Sequence, residues 1–176
     1  MRDLSQPTEP CRAFYDQLAA ETEKRRQANP TATALDPHCG ASPQLREELK
    51  AQVEALSPQI VALSQDIHAH PEVGYHEFYA ADAVAKLLQA HGIEVERASF
   101  GMETSLRAQI GGEAANQPTI AILCEYDALP GVGHGCGHNV MCANSVGAFL
   151  ALAELEKRHP GALGGRVILQ TTPAEE

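Results

Sequence analysis

The chain has 176 residues, a formal net charge of −10 and an apolar fraction of 44%, which suits a globular protein with one sizeable core. The acidic balance disfavours nucleic-acid binding, because that function requires a positively charged surface. No apolar run reaches the roughly 20 residues needed to cross a bilayer, and residues 1–10 lack the apolar stretch of a secretory signal. We therefore expect neither nucleic acid nor a membrane among its partners.

The five cysteines form no Cys-x-x-Cys pair and stand at Cys11, Cys39, Cys124, Cys136 and Cys142. An odd, scattered set is typical of a reducing compartment rather than of a disulfide framework. This pattern predicts a cytoplasmic protein. Cys124 ends an apolar segment and Cys142 lies in a predicted helix, so we interpret both as buried core side chains.

Residues 1–41 differ in character from the rest of the chain. Residues 11–29 can form a helix, but Pro30, Pro37 and Gly40 interrupt the segment that follows. We expect this region to be a mobile tail or a loosely docked helix. The organised domain is expected to begin at residue 42.

Two amphipathic helices are predicted next. The first begins at Ser42 and Pro43, an N-cap candidate followed by a proline in the first turn. Its apolar residues recur at intervals of three and four, and Pro58 either kinks the helix or divides it. The second helix covers residues 76–91, with Phe78 among the side chains expected to face inward.

Short extended segments follow, with one further helix among them. The predicted strands are residues 93–99, 105–110, 119–124 and 166–171, and the helix covers residues 140–157. The segments 119–124 and 166–171 are nearly all apolar, as expected of strands buried on both faces. Helices that alternate with such strands predict an α/β sandwich, with the active residues in loops at the strand ends.

A glycine-rich segment carries the first candidate site. Gly-His-Gly-Cys-Gly-His-Asn occupies residues 133–139 and places Cys136 two residues before His138. Thiolate and imidazole are preferred zinc ligands, and the alternating glycines allow the backbone to approach a metal closely. The same pattern also fits a glycine-rich turn in which the histidines are solvated and Cys136 is a small core residue.

Two adjacent carboxylates follow the last predicted strand. Glu175 and Glu176 come after Pro173, which fixes the backbone and turns it away from the strand. One carboxylate can then face a metal while the other holds a water molecule, which is a common arrangement for amide hydrolysis at neutral pH. Adjacent carboxylates on a surface loop are, on their own, more often simply solvated.

Other polar side chains have weaker claims to a site. Asp127 follows a predicted strand and can orient a ligating imidazole, although a turn aspartate before Pro130 fits the spacing equally well. Glu125 is a weaker candidate for the same neighbourhood. His68 and His70 form a His-x-His pair, which is more often solvated than metal-bound.

Taken together, three ordered motifs resemble the signatures of a metallopeptidase family. They are His-Ala-His-Pro-Glu-Val-Gly-Tyr-His-Glu, Glu-Tyr-Asp-Ala-Leu-Pro-Gly-Val-Gly-His-Gly-Cys-Gly-His-Asn and Thr-Pro-Ala-Glu-Glu. The family contains aminoacylases, acetylornithine deacetylase, carboxypeptidase G and the amidohydrolases that act on indole-acetyl-amino acids and p-aminobenzoyl-glutamate. The Cys-Gly-His version resembles the amidohydrolase branch. The resemblance covers residues 45–176 and implies a three-layer α/β sandwich of the zinc-exopeptidase type.

The resemblance also implies a mechanism and a set of site residues. Cys136, His138 and Glu176 match metal ligands, Glu175 matches the general base, and Asp127 matches the aspartate that orients a ligand imidazole. The implied cofactors are two divalent ions, zinc or manganese, in the full-length enzyme. The implied reaction is hydrolysis of an amide bond in an N-acyl amino acid, a p-aminobenzoyl-glutamate-like compound or a dipeptide.

The length of the chain departs from the family pattern. Members are considerably longer, with an inserted lid or dimerisation domain and further metal-binding histidines downstream. We therefore expect residues 42–176 to be the first, incomplete half of the catalytic domain. We also expect the chain to be inactive alone and its full-length form to be a homo-oligomer.

Two other functions stay open on the sequence. One is a cysteine hydrolase in which Cys136 is the nucleophile and His134 or His138 is the base. The other is a structural zinc module held by Cys136, His134 and His138, although such sites usually have four protein ligands.

Overall fold

The computed structural model describes residues 12–28, 40–112 and 117–176. The chain divides into two units, Met1–Ala41 and Ser42–Glu176. The described part of the first unit contains helix α1 (Ala13–Ala28), in which exposed arginine and glutamate side chains pair one turn apart. Within the predicted tail, residues 1–11 and 29–39, which include Cys11 and Cys39, lie outside the described residues.

Helix α2 (Pro43–Ala69) begins where the sequence predicts. The Ser42 hydroxyl accepts a hydrogen bond from the Leu45 N–H at 3.3 Å, and Pro43 occupies the first turn. The helix continues through Pro58 as one element, so it is not divided there. Pro58 removes a single helical hydrogen bond, and the buried side chains on either side of it keep the two parts packed against the same core.

Helix α3 (Phe78–Ala90) buries Ala81, Val84 and Leu88, as the apolar spacing predicts. The inward position predicted for Phe78 is wrong, because its side chain is 50% exposed. Phe78 is the first residue of the helix, and the buried residues of the helix start only at Ala80. Helix α4 (His138–Arg158) is the most deeply buried of the described helices, and it packs along α2 and across the sheet.

Four strands form one mixed sheet in the order β1-β2-β4-β3. The strands are β1 (Val95–Arg97), β2 (Leu106–Gly111), β3 (Thr119–Cys124) and β4 (Arg166–Thr171). Strand β4 pairs parallel to β3 and antiparallel to β2, and β1 pairs antiparallel to β2. The predicted α/β class is confirmed.

The predicted burial of both faces of β3 is wrong. Ile120 is 62% exposed and Leu123 is 57% exposed, because β3 lies at the edge of the described sheet. Strand β4 is central, and its side chains alternate between buried and half-buried. The core draws its strand residues from one face of the sheet, where Ala108 and Leu169 are cross-strand neighbours under the helices.

Gly147 sets the distance between helices α2 and α4. It is buried, and a Cβ at this position would run into the Ile60 side chain, with Ile60 Cγ1 only 3.0 Å away. Gly147→Leu should lower the free energy of unfolding by about 1–3 kcal/mol, because overpacking forces the helices apart. Urea unfolding measures the change. The control Ala148→Leu, at the exposed next residue, should stay within about 0.5 kcal/mol of the parent. Equal losses in both variants would contradict this view of the helix contact.

Candidate metal centre

The parallel pairing of β3 and β4 brings two polar loops together. Cys124 and Thr171 are register partners at the ends of the two strands, and the Thr172 N–H donates to the Cys124 carbonyl at 3.0 Å. Glu125 and Asp127 therefore leave the same sheet edge as Glu175 and Glu176. The sequence predicted this convergence from the order of strands and loops.

The glycine-rich loop adds the start of helix α4 to the same place. Gly137 is the N-cap with a φ of 87°, a left-handed conformation that glycine adopts without steric cost, and His138 is the first helical residue. The Asn139 side-chain amide donates to the carbonyl and the hydroxyl of Ser64 in α2, at 3.2 and 3.0 Å. The beginning of α4 is thus fixed against α2.

Asp127 determines the tautomer of His138. Both side chains are buried, and the His138 Nδ1 lies 3.0 Å from the Asp127 carbonyl oxygen and 3.0 Å from its Oδ1. Both of these oxygens are acceptors, so Nδ1 carries the proton. The lone pair of Nε2 is then free to bind a metal ion.

Three carboxylates surround that lone pair. The His138 Nε2 lies 3.7 Å from Glu125 Oε2, 3.6 Å from Glu175 Oε2 and 3.9 Å from Glu176 Oε1. These distances are too long for hydrogen bonds. Ligand atoms of Glu125, His138 and Glu175 all lie within 4.8 Å of one another, close enough for a cation to bind among them and for one carboxylate to hold a water molecule beside it.

The unsatisfied oxygen of Glu125 also fits a cation. Among the described residues, Glu125 Oε2 is buried and has no hydrogen-bond partner. A buried carboxylate oxygen without a partner is costly, and a divalent ion would satisfy it. The sequence ranked Glu125 below Asp127, yet both follow β3 at alternate positions, and this spacing was the available signal.

Cys136 lies beside Glu176 rather than beside a histidine. Its thiol is exposed, and the Glu176 carboxylate, which accepts a hydrogen bond from it, raises the pKa of the thiol. The Glu176 N–H in turn donates to Asp127 Oδ2 at 3.2 Å. All five predicted site residues therefore meet at one sheet edge, although Cys136 and Glu176 lie outside the tightest group of ligand atoms.

The two alternative functions find less support in this arrangement. Within the described residues, no hydrogen bond joins Cys136 to His134 or His138, and a raised thiol pKa disfavours a nucleophilic thiolate. The His134 Nε2 donates instead to the Ile67 carbonyl at 3.1 Å. Its other ring nitrogen, Nδ1, is buried and has no hydrogen-bond partner among the described residues, but it does not belong to the group of ligand atoms around His138.

His68, His70 and His134 lie around the end of α2. The rings of His68 and His134 are 6.1 Å apart, and burial lowers the pKa of His134. His70 Nδ1 contacts the Asp66 carbonyl at 2.8 Å, and its ring stacks on Tyr79. Among the described residues, the His-x-His pair thus forms no ion pair with Glu125, Glu175 or Glu176.

Several known proteins are similar to this chain in sequence and in fold, although no protein-family model matches it. The chain is similar to a Xaa-Arg dipeptidase of Mus musculus, at 32% identity over 75% of this chain and 32% of that protein. It is similar to an N-acetyl-L-cysteine deacetylase of Bacillus subtilis, at 30% identity over 75% of this chain and 34% of the relative.

A third relative and a solved structure extend the similarity. A p-aminobenzoyl-glutamate hydrolase polypeptide of Escherichia coli is 29% identical over 70% of this chain and 28% of the relative. A dinuclear metal-binding peptidase of Bacillus subtilis, from the M20 family, superposes with a TM-score of 0.60 and 27% identity, covering 69% of this chain and 36% of the peptidase. The chain thus spans about a third of the length of the relatives that it matches. None of the described helices has both the length and the apolar character that a bilayer crossing demands.

Asp127→Asn tests whether Asp127 orients the metal-binding imidazole. The amide would keep one acceptor for His138 but lose the negative charge, and its NH₂ group would face the Glu176 N–H. We expect the affinity for Zn²⁺ or Mn²⁺ to fall about 10- to 100-fold, as measured by isothermal titration. Asp82→Asn removes a charge that pairs with Lys86 and Arg97 instead and should leave the affinity unchanged. Wild-type affinity in Asp127→Asn would refute the assigned role.

Proposed function

The chain belongs to the M20 family of peptidases and amidohydrolases, and we propose that its metal centre takes part in hydrolysis of an amide bond. The substrate is an N-acyl amino acid, a p-aminobenzoyl-glutamate-like compound or a dipeptide. The observation that carries the proposal is the His138 imidazole, whose Nδ1 is held by Asp127 while Nε2 faces three carboxylates.

The donor atoms favour two divalent ions, zinc or manganese. Cys136, His138 and Glu176 would hold metal, and Glu125 would add an oxygen ligand because its buried Oε2 lacks a partner among the described residues. Thiolate, imidazole and carboxylate together suit zinc and do not exclude manganese. A bound divalent ion supplies Lewis acidity, which polarises the amide carbonyl and makes water acidic enough to ionise near neutral pH.

Glu175 is the better placed of the two terminal carboxylates to move a proton. Glu176 is tied by its N–H to Asp127 and by its side chain to Cys136. The Glu175 side chain is 50% exposed against 34% for Glu176, and it can therefore reach a water molecule. In this role Glu175 accepts the proton as the water oxygen bonds to the carbonyl carbon, and it returns that proton to the amine when the C–N bond breaks.

The choice of substrate class rests on what the relatives share. They are a dipeptidase, an N-acetyl-L-cysteine deacetylase and a p-aminobenzoyl-glutamate hydrolase. Each of these reactions breaks an amide bond in a small molecule. Amide hydrolysis also accounts for the different roles proposed for the adjacent carboxylates, with Glu176 as a metal ligand and Glu175 as the base beside the His138 imidazole.

We also propose that the protein works in the cytoplasm. Cys124 and Cys142 are fully buried free thiols whose sulfurs lie 3.6 Å apart. The Cys124 sulfur and burial together raise the pKa of Cys142 well above its ordinary value. Two adjacent thiols that stay reduced fit a reducing compartment.

Glu175→Gln tests the proposed base. Turnover of dipeptides, N-acetyl amino acids or p-aminobenzoyl-glutamate should fall about 10²- to 10⁴-fold, because the amide cannot accept the proton. The assay should use the protein in its longest expressed form with added zinc or manganese, and metal binding should persist in the variant.

Two further variants complete this test. Glu176→Gln should weaken metal binding, because it neutralises a proposed ligand. Glu54→Gln, at an exposed position of α2, should change neither turnover nor affinity. Turnover by Glu175→Gln at the parent rate would exclude Glu175 as the base.

A further inference from the structure

Glu77 is a fully buried carboxylate that the proposed reaction does not use. It is 0% exposed and lies where the loop of residues 70–77 enters helix α3. Within the described residues it forms no ion pair, and it makes no side-chain cap bond to the helix that it precedes. A buried carboxylate without a counter-charge is costly unless hydrogen bonds satisfy its oxygens.

Both oxygens of Glu77 are satisfied by distant parts of the chain. Oε1 accepts a hydrogen bond from the Ala174 N–H at 2.9 Å, and Oε2 accepts one from the Thr104 hydroxyl at 2.8 Å. Ala174 directly precedes Glu175, so one of the two bonds reaches the loop that carries the terminal carboxylates. Glu77 therefore connects α3 to the metal centre.

The bond to Ala174 holds an unfavourable backbone conformation. Ala174 has a φ of 56°, in the left-handed region, which is sterically unfavourable for a residue other than glycine. Gly74 approaches the same residue from the same loop, since a Cβ on Gly74 would lie 2.6 Å from the Ala174 Cβ. The loop of residues 70–77 thus holds Ala174 by a hydrogen bond and by close contact.

The same loop also holds the other strand end. The Ala128 N–H donates to the Glu72 carbonyl at 2.8 Å, and the Glu72 carboxylate accepts bonds from Tyr79 N–H and Ala80 N–H, at 3.0 Å each. The segment that carries Asp127 is therefore tied to the start of α3 as well. One loop fixes both segments that supply the carboxylates.

We infer that Glu77 is a positioning residue of the metal centre. Its buried carboxylate keeps Ala174 in the left-handed conformation and thereby directs Glu175 and Glu176 towards His138. This inference rests on the proposed function for its consequence, because a misdirected Glu176 would weaken metal binding. The hydrogen bond to Ala174 itself is independent of that function.

Two measurements on the variants Glu77→Ala and Glu77→Gln test the inference. The first is the hydrogen-exchange protection of the Ala174 amide, measured without metal. The second is the affinity for Co²⁺, with its visible absorption spectrum as the probe of ligand geometry. Glu77→Ala should abolish the protection, weaken Co²⁺ binding about 10-fold or more, and change the spectrum. Glu77→Gln retains an acceptor for the Ala174 N–H and should stay within about threefold of the parent.

Two further variants separate positioning from general destabilisation. Leu56→Ala removes a buried side chain of α2 about 16 Å along the helix from Ile67, and it should lower the melting temperature while the Co²⁺ spectrum stays unchanged. Gly74→Ala displaces Ala174 by steric contact and should reproduce the spectral change with Glu77 intact. If Glu77→Ala does not fold, Glu77→Asp takes its place, because the shorter side chain withdraws the acceptor from the Ala174 N–H.

The outcomes distinguish this inference from the proposed function. Full Ala174 protection in Glu77→Ala, or parent Co²⁺ affinity and spectrum in that variant, would overturn the role of Glu77. A parent protein that binds no Co²⁺, Zn²⁺ or Mn²⁺ would instead overturn the proposed metal centre. In that case the Ala174 exchange data would still decide whether Glu77 fixes the loop.

Discussion

The parallel pairing of β3 with β4 is the constraint on which the proposed metal centre depends. It places the ends of two strands side by side, with Cys124 and Thr171 in register, so two loops rich in carboxylates leave the sheet at one point. Like charges at such short range repel each other, and burial strengthens the repulsion. The start of α4 eases this cost, because helix N-terminal amides favour negative charge. A divalent cation would offset most of what is left.

Hydrogen bonds rather than ion pairs hold the loops of this acidic cluster in place. Asp127 serves both loops, since its Oδ1 accepts from His138 and its Oδ2 accepts from the Glu176 N–H. Glu77 acts in the same way on Ala174, from the opposite side of the loop. These two buried carboxylates thus fix backbone and ring N–H groups, and the more exposed side chains of Glu175 and Glu176 remain free to bind a ligand.

Local sequence was sufficient to predict the elements and the convergence of the strand-end loops. Short-range patterns of residue type predict the N-cap at Ser42, the helix past Gly137 and the apolar strands. The exposure of Ile120 could not be predicted, because apolar composition indicates a strand but not its position in the sheet. The inward position predicted for Phe78 is wrong for a similar reason. The spacing of apolar residues indicates which face of a helix is buried, but not where along the helix the core ends.

The part of the site that sequence could not reveal is the part made by long-range contacts. Glu77 and Ala174 are separated by 97 positions, and no local pattern links a glutamate before a helix to a left-handed alanine after a strand. The motif around Glu77 was visible, but only the fold shows that it reaches the other two. Such contacts explain why three separated motifs act as one unit: the glycine-rich loop presents His138, the strand ends present carboxylates, and the loop of residues 70–77 holds the strand ends in place. A substitution that breaks one of these contacts is therefore expected to alter the geometry of the segments that it joins.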